Sequence, residues 1–178
     1  MEIKSKHGLL KSFMLNPDIT FENQHEDEKV FLFLRAHLAT QITWIISVVI
    51  LFILLLIFDF LAASFIGFRQ LLVINIFAII FMLSFAWLNY LHWFFNVGII
   101  TDERIIDIDF NNILYREINS ARLKSIEDIT SKGVGFFGSL FNYGDIFIQT
   151  AGTETNIEFY HVPDPSKVTH IINGLLKP

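Results

Sequence analysis

The sequence predicts an α+β protein in which a two-helix transmembrane hairpin is followed by a small antiparallel β-domain capped by a C-terminal helix. Hydrophobic residues make up 53% of the 178 residues and charged residues only 17%. These apolar residues are concentrated in two long blocks rather than spread periodically, which is typical of membrane spans. After the second block, short alternating runs are separated by turn residues, and an amphipathic stripe ends the chain.

The segment before the first block predicts a mobile cytosolic tail. Turn formers and charges follow one another at Gly8, at residues 16–18 and in the acidic run 26–28. The first apolar block begins near Ile42, beyond the window of about 15–30 residues that a cleaved signal peptide occupies. We therefore expect both apolar blocks to persist in the mature protein.

Both apolar blocks are long enough to cross a bilayer. Residues 42–58 carry no charge and would form about 26 Å of helix, which flanking residues extend to a hydrocarbon core of about 30 Å. Residues 71–95 have no formal charge and would cross with some tilt. Because residues 67–70 alone connect them, the helices form an antiparallel hairpin with both termini on one side.

The sequence predicts a multi-pass protein of the cell membrane. The distribution of basic residues predicts that both termini lie on the cytoplasmic side. Lys29 and Arg35 precede the first span and Arg104 follows the second, whereas the link contains only Arg69. Loops rich in Lys and Arg are retained in the cytoplasm. Aromatic residues that prefer the membrane interface agree with this orientation: Trp44, Trp87, Tyr90 and Trp93.

The remainder of the chain predicts an antiparallel meander and one helix. Strands are expected at 97–101, 104–110, 113–118, 145–150 and 155–160. Asp164 followed by Pro165 predicts a helix start, with Asp164 as the cap. An apolar stripe at helical spacing follows, formed by Val168, Ile171, Ile172, Leu175 and Leu176. The predicted organisation is a tail at 1–27, a membrane hairpin at 28–95 with spans at about 40–61 and 71–94, and a domain at 96–178.

Three stretches carry a family resemblance. Residues 28–37 contain an acidic residue followed by Arg-x-His before the first span, and residues 99–106 contain a Thr-Asp-x-Arg turn. Residues 138–152 combine a glycine-aromatic turn with the next strand and are the most specific. From residue 28 to its end, the chain resembles the bacterial pleckstrin-homology-like (PH-like) membrane proteins of the two-span type. The resemblance implies a PH-like fold without a settled activity.

Several function classes are excluded or disfavoured. The chain has no cysteine, which excludes disulfides, thiolate metal sites and a cysteine nucleophile. A net charge of −5 gives no electrostatic footprint for nucleic acid. The six histidines lack metalloenzyme spacing, and no Ser-His-Asp set or carboxylate pair can be assembled. We therefore predict no enzyme, no cofactor and no metal.

Two motifs imitate ligand sites. Residues 133–138 match G-x-G-x-x-G, but the turn residues at 142–144 interrupt the helix that a dinucleotide site needs, so we expect a packed β-connection. Asp107, Asp109 and Asn111 match the start of a calcium loop. That loop requires Gly and Glu at its sixth and twelfth positions, which Asn112 and Ile118 occupy here. We interpret this motif as a strand edge that enters a turn.

Basic residues supply one candidate site. A cluster for lipid or a partner would consist of Arg116, Arg122, Lys124 and Lys132. From residue 96 onward, however, seven Lys and Arg accompany eleven Asp and Glu, a net charge of −4. Anionic headgroups repel such a domain, so a solvated face is the alternative.

A second candidate site is aromatic, and a third is polar. Burial under the sheet is expected for Phe136, Phe137, Leu140 and Phe141, with a hydrophobic patch that touches the bilayer or a partner as the alternative. The polar residues at the membrane edges are Asp59, Arg69 and His92. Asp59 is expected at the interface within reach of Arg69, because an intramembrane charge is costly. His92, with His37, is expected near headgroups, and pH sensing is the alternative.

These observations predict a membrane-anchored, non-catalytic module that binds a protein or peptide or acts as a scaffold, and that can self-associate. A free sheet edge can accept an added strand, and anchoring raises the effective concentration at the membrane. One alternative is an oligomeric transport or sensing subunit with a path past Asp59, Asn75 and His92. Recognition of anionic lipid is the second alternative.

Overall fold

The computed structural model describes residues 4–5, 11–21, 23–112, 115–151 and 156–176. The chain divides into two compact units, the first formed by Met1–Ala39 with Trp93–Pro178 and the second by Thr40–His92. The architecture is α+β, with antiparallel sheets, two long apolar helices and a C-terminal helix, as the sequence predicts.

Helices α1 (Gln41–Ala62) and α2 (Phe68–Phe95) make up the second unit, and α2 continues into the first unit after His92. In the most apolar stretch of each helix, only 6% is buried. The Nδ2 of Asn75 donates to Asp59 Oδ1 at 2.9 Å and joins the two helices near their connection. Both helices are long and apolar enough to cross a membrane by length and composition.

The first unit contains the strands and two shorter helices. The strands are β1 (Lys4–Ser5), β2 (Phe13–Leu15), β3 (Ile19–Thr20), β4 (Val30–Leu34), β5 (Val97–Thr101), β6 (Arg104–Asn112), β7 (Tyr115–Arg122), β8 (Ile126–Gly133), β9 (Tyr143–Thr150) and β10 (Ile157–Pro163), and the helices are α3 (Gly135–Phe141) and α4 (Pro165–Leu175). The larger sheet has the order β2-β4-β5-β6-β7 and the smaller β10-β9-β8, while β1 pairs with β3. Within the described residues, no strand pairing closes the sheets into a barrel.

Both faces of β4, in the larger sheet, are covered by buried cores. Leu32 and Leu34 of β4 belong to a core that also includes residues of β9, β10 and α4. Phe33, on the opposite face of β4, packs in a second core with Ile19 and Phe21. The unbroken apolar run of β4 is typical of a strand that is covered on both sides.

The N-terminal segment is therefore part of the folded unit rather than the expected mobile tail. Strand β2 pairs with β4, with Phe13 opposite Leu34, and Ile19 and Phe21 are buried. Single apolar residues among turn formers give no periodic signal, which is why the sequence predicted a tail here. Because β4 precedes α1 and β5 follows α2, the sheet takes strands from both sides of the helices, and the folded unit does not begin at residue 96.

Glycine allows the two sheets to approach closely at one point. A Cβ built at Gly98 would lie 2.5 Å from Cε1 of Phe159, so a side chain there would overlap the ring. Gly98 lies opposite Leu34 on one side and Asp107 on the other. The ring of Phe159 thus packs directly on the backbone of β5.

Helix α4 begins at Pro165, as predicted, but its start is not capped as expected. Asp164 occupies the cap position with a left-handed backbone (φ 49°), and its side chain makes no capping hydrogen bond. The predicted apolar stripe faces the core, where Val168 and Ile172 are buried. Burial of its hydrophobic stripe, rather than a side-chain cap, therefore stabilises this helix.

Candidate functional site

A buried ion pair fastens the N-terminal segment to the turn between β5 and β6. The carboxylate of Glu28 accepts from Arg104 Nε at 2.9 Å and from Arg104 Nη2 at 2.8 Å, one oxygen each. The hydroxyl of Thr101 donates to it at 2.8 Å, and the backbone N–H of His25 donates at 3.1 Å. Protein donors thus satisfy the carboxylate, in the bidentate geometry that makes such pairs strong.

The protonation of this pair follows from its surroundings. Burial raises the pKa of Glu28, but hydrogen bonds from Arg104 and Thr101 outweigh it, so the pKa lies below its ordinary value. The bond to Glu28 in turn raises the pKa of Arg104. Both groups are therefore charged at neutral pH. The pair also joins two of the three stretches that carry the family resemblance, 28–37 and 99–106.

A groove of about 650 Å³ opens beside the ion pair, and its walls carry both signs of charge. It is lined by His25, Asp102, Glu103, Arg104, Ser120, Arg122, Leu123 and Lys124. Arg122 and Lys124, two members of the predicted basic cluster, are exposed there. The Nδ1 of His25 lies 2.7 Å from Glu103 Oε2.

Of the predicted basic residues whose side chains the structure describes, Arg122 and Lys124 line the groove and Lys132 does not. Lys132 lies about 20 Å along β8 from Ile126, and its ammonium stands 4.7 Å from the centroid of the Phe147 ring. The backbone of Arg116 pairs opposite Phe110 in β7; its side chain lies outside the described residues. Arg122 and Lys124 alone share the groove.

One possible set of metal ligands includes a residue distant in the chain, so the spacing of the histidines did not predict it. Ligand atoms of His25, Glu28 and Glu103 lie within 4.8 Å of one another. The carboxylate of Glu28 is already held by Arg104, however, and His25 is paired with Glu103. A cation would have to displace the guanidinium, so we interpret the set as an extension of the ion pair.

Strand β8 is a free edge. It pairs with β9 on one side, and none of the other described strands pairs with its second side. Its eight residues include no proline, and most of its side chains are exposed, including Thr130 and Ser131. Natural proteins usually shorten, cover or interrupt such an edge, so an uncovered one can accept another strand.

An apolar strip runs beside this edge. Helix α4 packs on β8 and β9. Half-buried side chains from both elements border the fully buried core, namely Ile126 and Ile129 of β8 and Ile171 and Leu175 of α4. Strand β8 was not predicted from the sequence, because Ile126 and Ile129 are its only large apolar residues.

The aromatic cluster is exposed rather than buried under the sheet. Phe136, Phe137 and Leu140 are 75%, 63% and 63% exposed, and Phe141 is 39% exposed. These residues lie on the short helix α3, where a β-connection was expected. The G-x-G-x-x-G motif thus ends a strand and begins a helix, but the sheet is antiparallel and forms no βαβ unit.

The polar residues of the long helices lie far apart. Asp59 is bonded to Asn75 rather than to Arg69, with which it forms no ion pair among the described residues. His92 lies near the other end of α2, about 26 Å along the helix from Asn75. The Asp59–Asn75 hydrogen bond therefore joins the two helices, and His92 lies too far from it to continue a polar path for ions.

An acidic pair lies on β6, where the calcium-like motif was noted. Asp107 is buried, Asp109 follows on the same face, and Glu117 of β7 lies opposite Asp109. Burial, followed by the charge of Asp109, raises the pKa of Asp107 to about 8. Burial and the neighbouring carboxylates thus favour the protonated form of Asp107, which lies in a strand rather than in a calcium-binding loop.

Comparison with known proteins identifies the family of this chain. The sequence matches the bacterial PH domain family over residues 30–176, and the chain therefore belongs to that family. Among solved structures it is similar to a DUF1696 family protein with a pleckstrin-homology domain from Shewanella loihica PV-4, at 15% identity and a TM-score of 0.36, with 46% of this chain and 70% of that chain covered. None of the curated proteins matches. The PH-like fold fits a binding or scaffolding module, and such families are typically non-catalytic.

Proposed function

We propose that α1 and α2 anchor the protein in the cell membrane, with both termini in the cytoplasm. The exposure of their apolar side chains supports this, because only 6% of the most apolar stretch of each helix is buried. A core helix of a water-soluble protein would bury such a surface. Lys29, Arg35 and Arg104 flank the helices, whereas their link contains only Arg69, which favours a cytoplasmic folded unit.

Cysteine accessibility tests this topology, since the natural chain has no cysteine. Ser64→Cys lies between the helices and Ser166→Cys lies on α4, and both positions are exposed. In intact cells a membrane-impermeant maleimide should label Ser64→Cys alone, and Ser166→Cys should react only after permeabilisation. Labelling of Ser166→Cys alone in intact cells would show that the topology is the opposite of the one proposed. Equal labelling of the two variants before and after permeabilisation would refute membrane crossing.

The folded unit binds an extended segment of a protein partner by strand addition at β8. The observation that carries this proposal is the free β8 edge with an apolar strip beside it, formed by Ile126, Ile129, Ile171 and Leu175. Backbone groups of the edge would supply affinity, and alternate side chains of the added strand would enter the strip and supply specificity. This mode requires neither a basic cluster nor a cofactor.

The edges of the larger sheet offer less. Strand β7 is one of these edges, but Glu117, Ile118 and Ser120 are exposed there, whereas α4 packs on β8 and β9. Strand β2, at the opposite edge, has only three residues. Anchoring in the membrane would confine partner segments near β8 and raise their effective concentration, so modest intrinsic affinity suffices.

Site-specific photocrosslinking in cells tests the binding mode. A photoreactive amino acid at Thr130 of β8 should capture a partner, whereas one at Asn173, which is exposed on α4, should not. Capture at Thr130 should be lost with Ile171→Asp, which puts a charge into the apolar strip, and retained with His170→Asp on the exposed face of the same helix. Peptide sequencing of the adduct should identify one extended segment.

The remaining outcomes discriminate between the alternatives. Capture that survives Ile171→Asp in protein of unchanged thermal stability would refute binding at this strip. An adduct formed solely between two copies of the chain would identify the partner as the protein itself and favour self-association. Lipid adducts in place of protein adducts would favour recognition of anionic lipid.

A further inference from the structure

Helix α3 presents a face that the binding of a peptide at β8 does not explain. This face, termed the α3 face, consists of Phe136, Phe137, Leu140 and Phe141. On a helical projection the four residues fall within one side of the helix, since residues four apart lie nearly above one another. Three of them are more than 60% exposed.

Glycine fixes which way the α3 face points. Gly138 is buried, and a Cβ built there would lie 2.8 Å from the backbone oxygen of Tyr143. Only a residue without a side chain lets α3 lie this close to the start of β9, so the Gly138 side must face inward. The four large apolar side chains are consequently turned outward.

Contacts inside the first unit place the α3 face beside the start of the first apolar span. The rings of Phe141 and His37 have centroids 6.4 Å apart, and His37 stacks on Tyr143 at 5.7 Å. The backbone N–H of His37 donates to the carbonyl of His161 at 2.7 Å. His37 immediately precedes Leu38, the first residue of the apolar stretch Leu38–Ala62.

The chemistry of the segment suits a lipid surface. No charged residue occurs from residue 133 to residue 144, between Lys132 and Asp145. The part of the folded unit from residue 96 onward is acidic, with a net charge of −4, so attraction to anionic headgroups does not favour holding it at the membrane. Bulky apolar side chains that enter the region between headgroups and acyl chains need no such attraction.

We infer that the α3 face inserts into the cytoplasmic interface of the same bilayer that α1 and α2 cross, as a third membrane contact that orients the folded unit. This inference rests on the proposed membrane anchoring. Insertion at this point would hold the domain close to the lipid surface and limit its rotation about the two chain connections. It would also leave β8 in a fixed orientation towards a partner in the cytoplasm or membrane.

Depth-dependent fluorescence quenching of the full-length protein in single-copy nanodiscs tests this. Three single-cysteine variants carry the same environment-sensitive dye: Leu140→Cys on the α3 face, Ser139→Cys on the same helix but outside the face, and Leu54→Cys in the middle of α1. Lipids spin-labelled near the headgroup should quench the dye at Leu140→Cys but not at Ser139→Cys, and the apolar surroundings should shift the emission of the dye at Leu140→Cys to the blue. Lipids labelled at the acyl-chain terminus should quench it at Leu54→Cys.

The three positions separate the possible failures. Quenching at Leu54→Cys with none at Leu140→Cys would refute insertion of the α3 face and leave the anchoring intact. Absence of quenching at Leu54→Cys would refute the anchoring itself. Protection of Leu140→Cys that appears only when two copies share a nanodisc, without lipid quenching, would show that a second copy covers the face and would overturn the inference. Phe137→Ser should reduce the quenching at Leu140→Cys without altering that at Leu54→Cys.

Discussion

Glu28 and Arg104 are 76 positions apart in the chain, on either side of the two apolar helices, yet they form a bidentate ion pair with bonds of 2.9 and 2.8 Å. The carboxylate of Glu28 is fully buried and the guanidinium of Arg104 is largely so. Arg104 Nη2 also donates to the carbonyl of Asn23 at 2.7 Å. The pair therefore fastens the N-terminal segment across the end of β5 and β6.

Removing the charge of Glu28 should destabilise the first unit strongly. Glu28→Gln leaves the Arg104 guanidinium without its buried counter-ion, which typically costs about 3–5 kcal/mol of the free energy of unfolding. Glu26→Gln, two positions earlier and exposed, should change it by less than about 0.5 kcal/mol. Urea unfolding of the detergent-solubilised protein, followed by tryptophan fluorescence, measures both.

The pH dependence of this effect has a definite sign. Because the pKa of Glu28 is lowered in the folded protein, its stabilisation is present above the pKa of the unfolded chain and is lost as pH falls through the folded-state value. The difference between the natural protein and Glu28→Gln should shrink in acid. A difference that does not change with pH would show that the variant acts through packing rather than charge.

Enlarging Gly98 should separate the two sheets. Gly98→Ala places a methyl group against the Phe159 ring and should cost about 1–3 kcal/mol, as overpacking of a core does. Phe159→Leu removes the ring edge that the new methyl group meets. The double variant should therefore lose less stability than the two single variants added together. Simple additivity in a thermal-unfolding series would contradict the contact.

Neutralising Asp107 should change how stability depends on pH. The folded-state pKa of about 8 lies above the ordinary value, so the folded state binds the proton more tightly between about pH 4 and 8. The contribution of Asp107 to stability should therefore fall over this range as pH rises, with a slope of at most about 1.4 kcal/mol per pH unit. Asp107→Asn should flatten the profile and raise the melting temperature more at pH 8 than at pH 5.

A matched change on the exposed surface serves as the control for Asp107. Asp128→Asn alters an exposed carboxylate of β8 and should leave the slope of stability against pH nearly unchanged between pH 4 and 8. If Asp107→Asn has the same slope as the natural protein, Asp107 does not titrate near neutral pH.

The contact between Asn75 and Asp59 should contribute modestly to the pairing of α1 and α2. Asn75→Ala removes the 2.9 Å hydrogen bond and should weaken helix association by about 0.5–2 kcal/mol, the usual range for polar contacts between membrane helices. Ser84→Ala, on the same helix, should have little effect. Reversible unfolding in bilayers measures the association, and an ion-flux assay on the same samples should show no flux in either variant or in the natural protein.

The sequence predicted those parts of the molecule whose signal is local. Two long apolar blocks predicted α1 and α2. Alternating apolar residues on either side of Asp102 and Glu103 predicted the hairpin of β5 and β6, and Pro165 predicted the start of α4. Strand β8 was missed because its side chains are mostly polar and exposed, as an edge permits. The pairing of Glu28 with Arg104 depends on contacts across the whole helical insertion, which no local pattern reports.

The exposure of the α3 face could not have been deduced from composition. Four large apolar residues in six positions usually form part of a core, and burial was the expected outcome. What turns them outward is the requirement that Gly138 lie against the carbonyl of Tyr143. Sequence reveals which residues are apolar, but which side of a short helix is covered depends on the tertiary contact of its smallest residue.

The adjacency of β4 and β5 has a consequence for biosynthesis. These strands are hydrogen-bonded neighbours, yet both long helices lie between them in the chain. During translation β4 emerges before β5, so the edge of β4 that faces β5 stays unpaired until α1 and α2 have been synthesised. The N-terminal strand β2, which pairs with β4, must wait equally long for a complete sheet. The strands that precede α1 thus belong to a sheet that is completed only after both long helices have been synthesised.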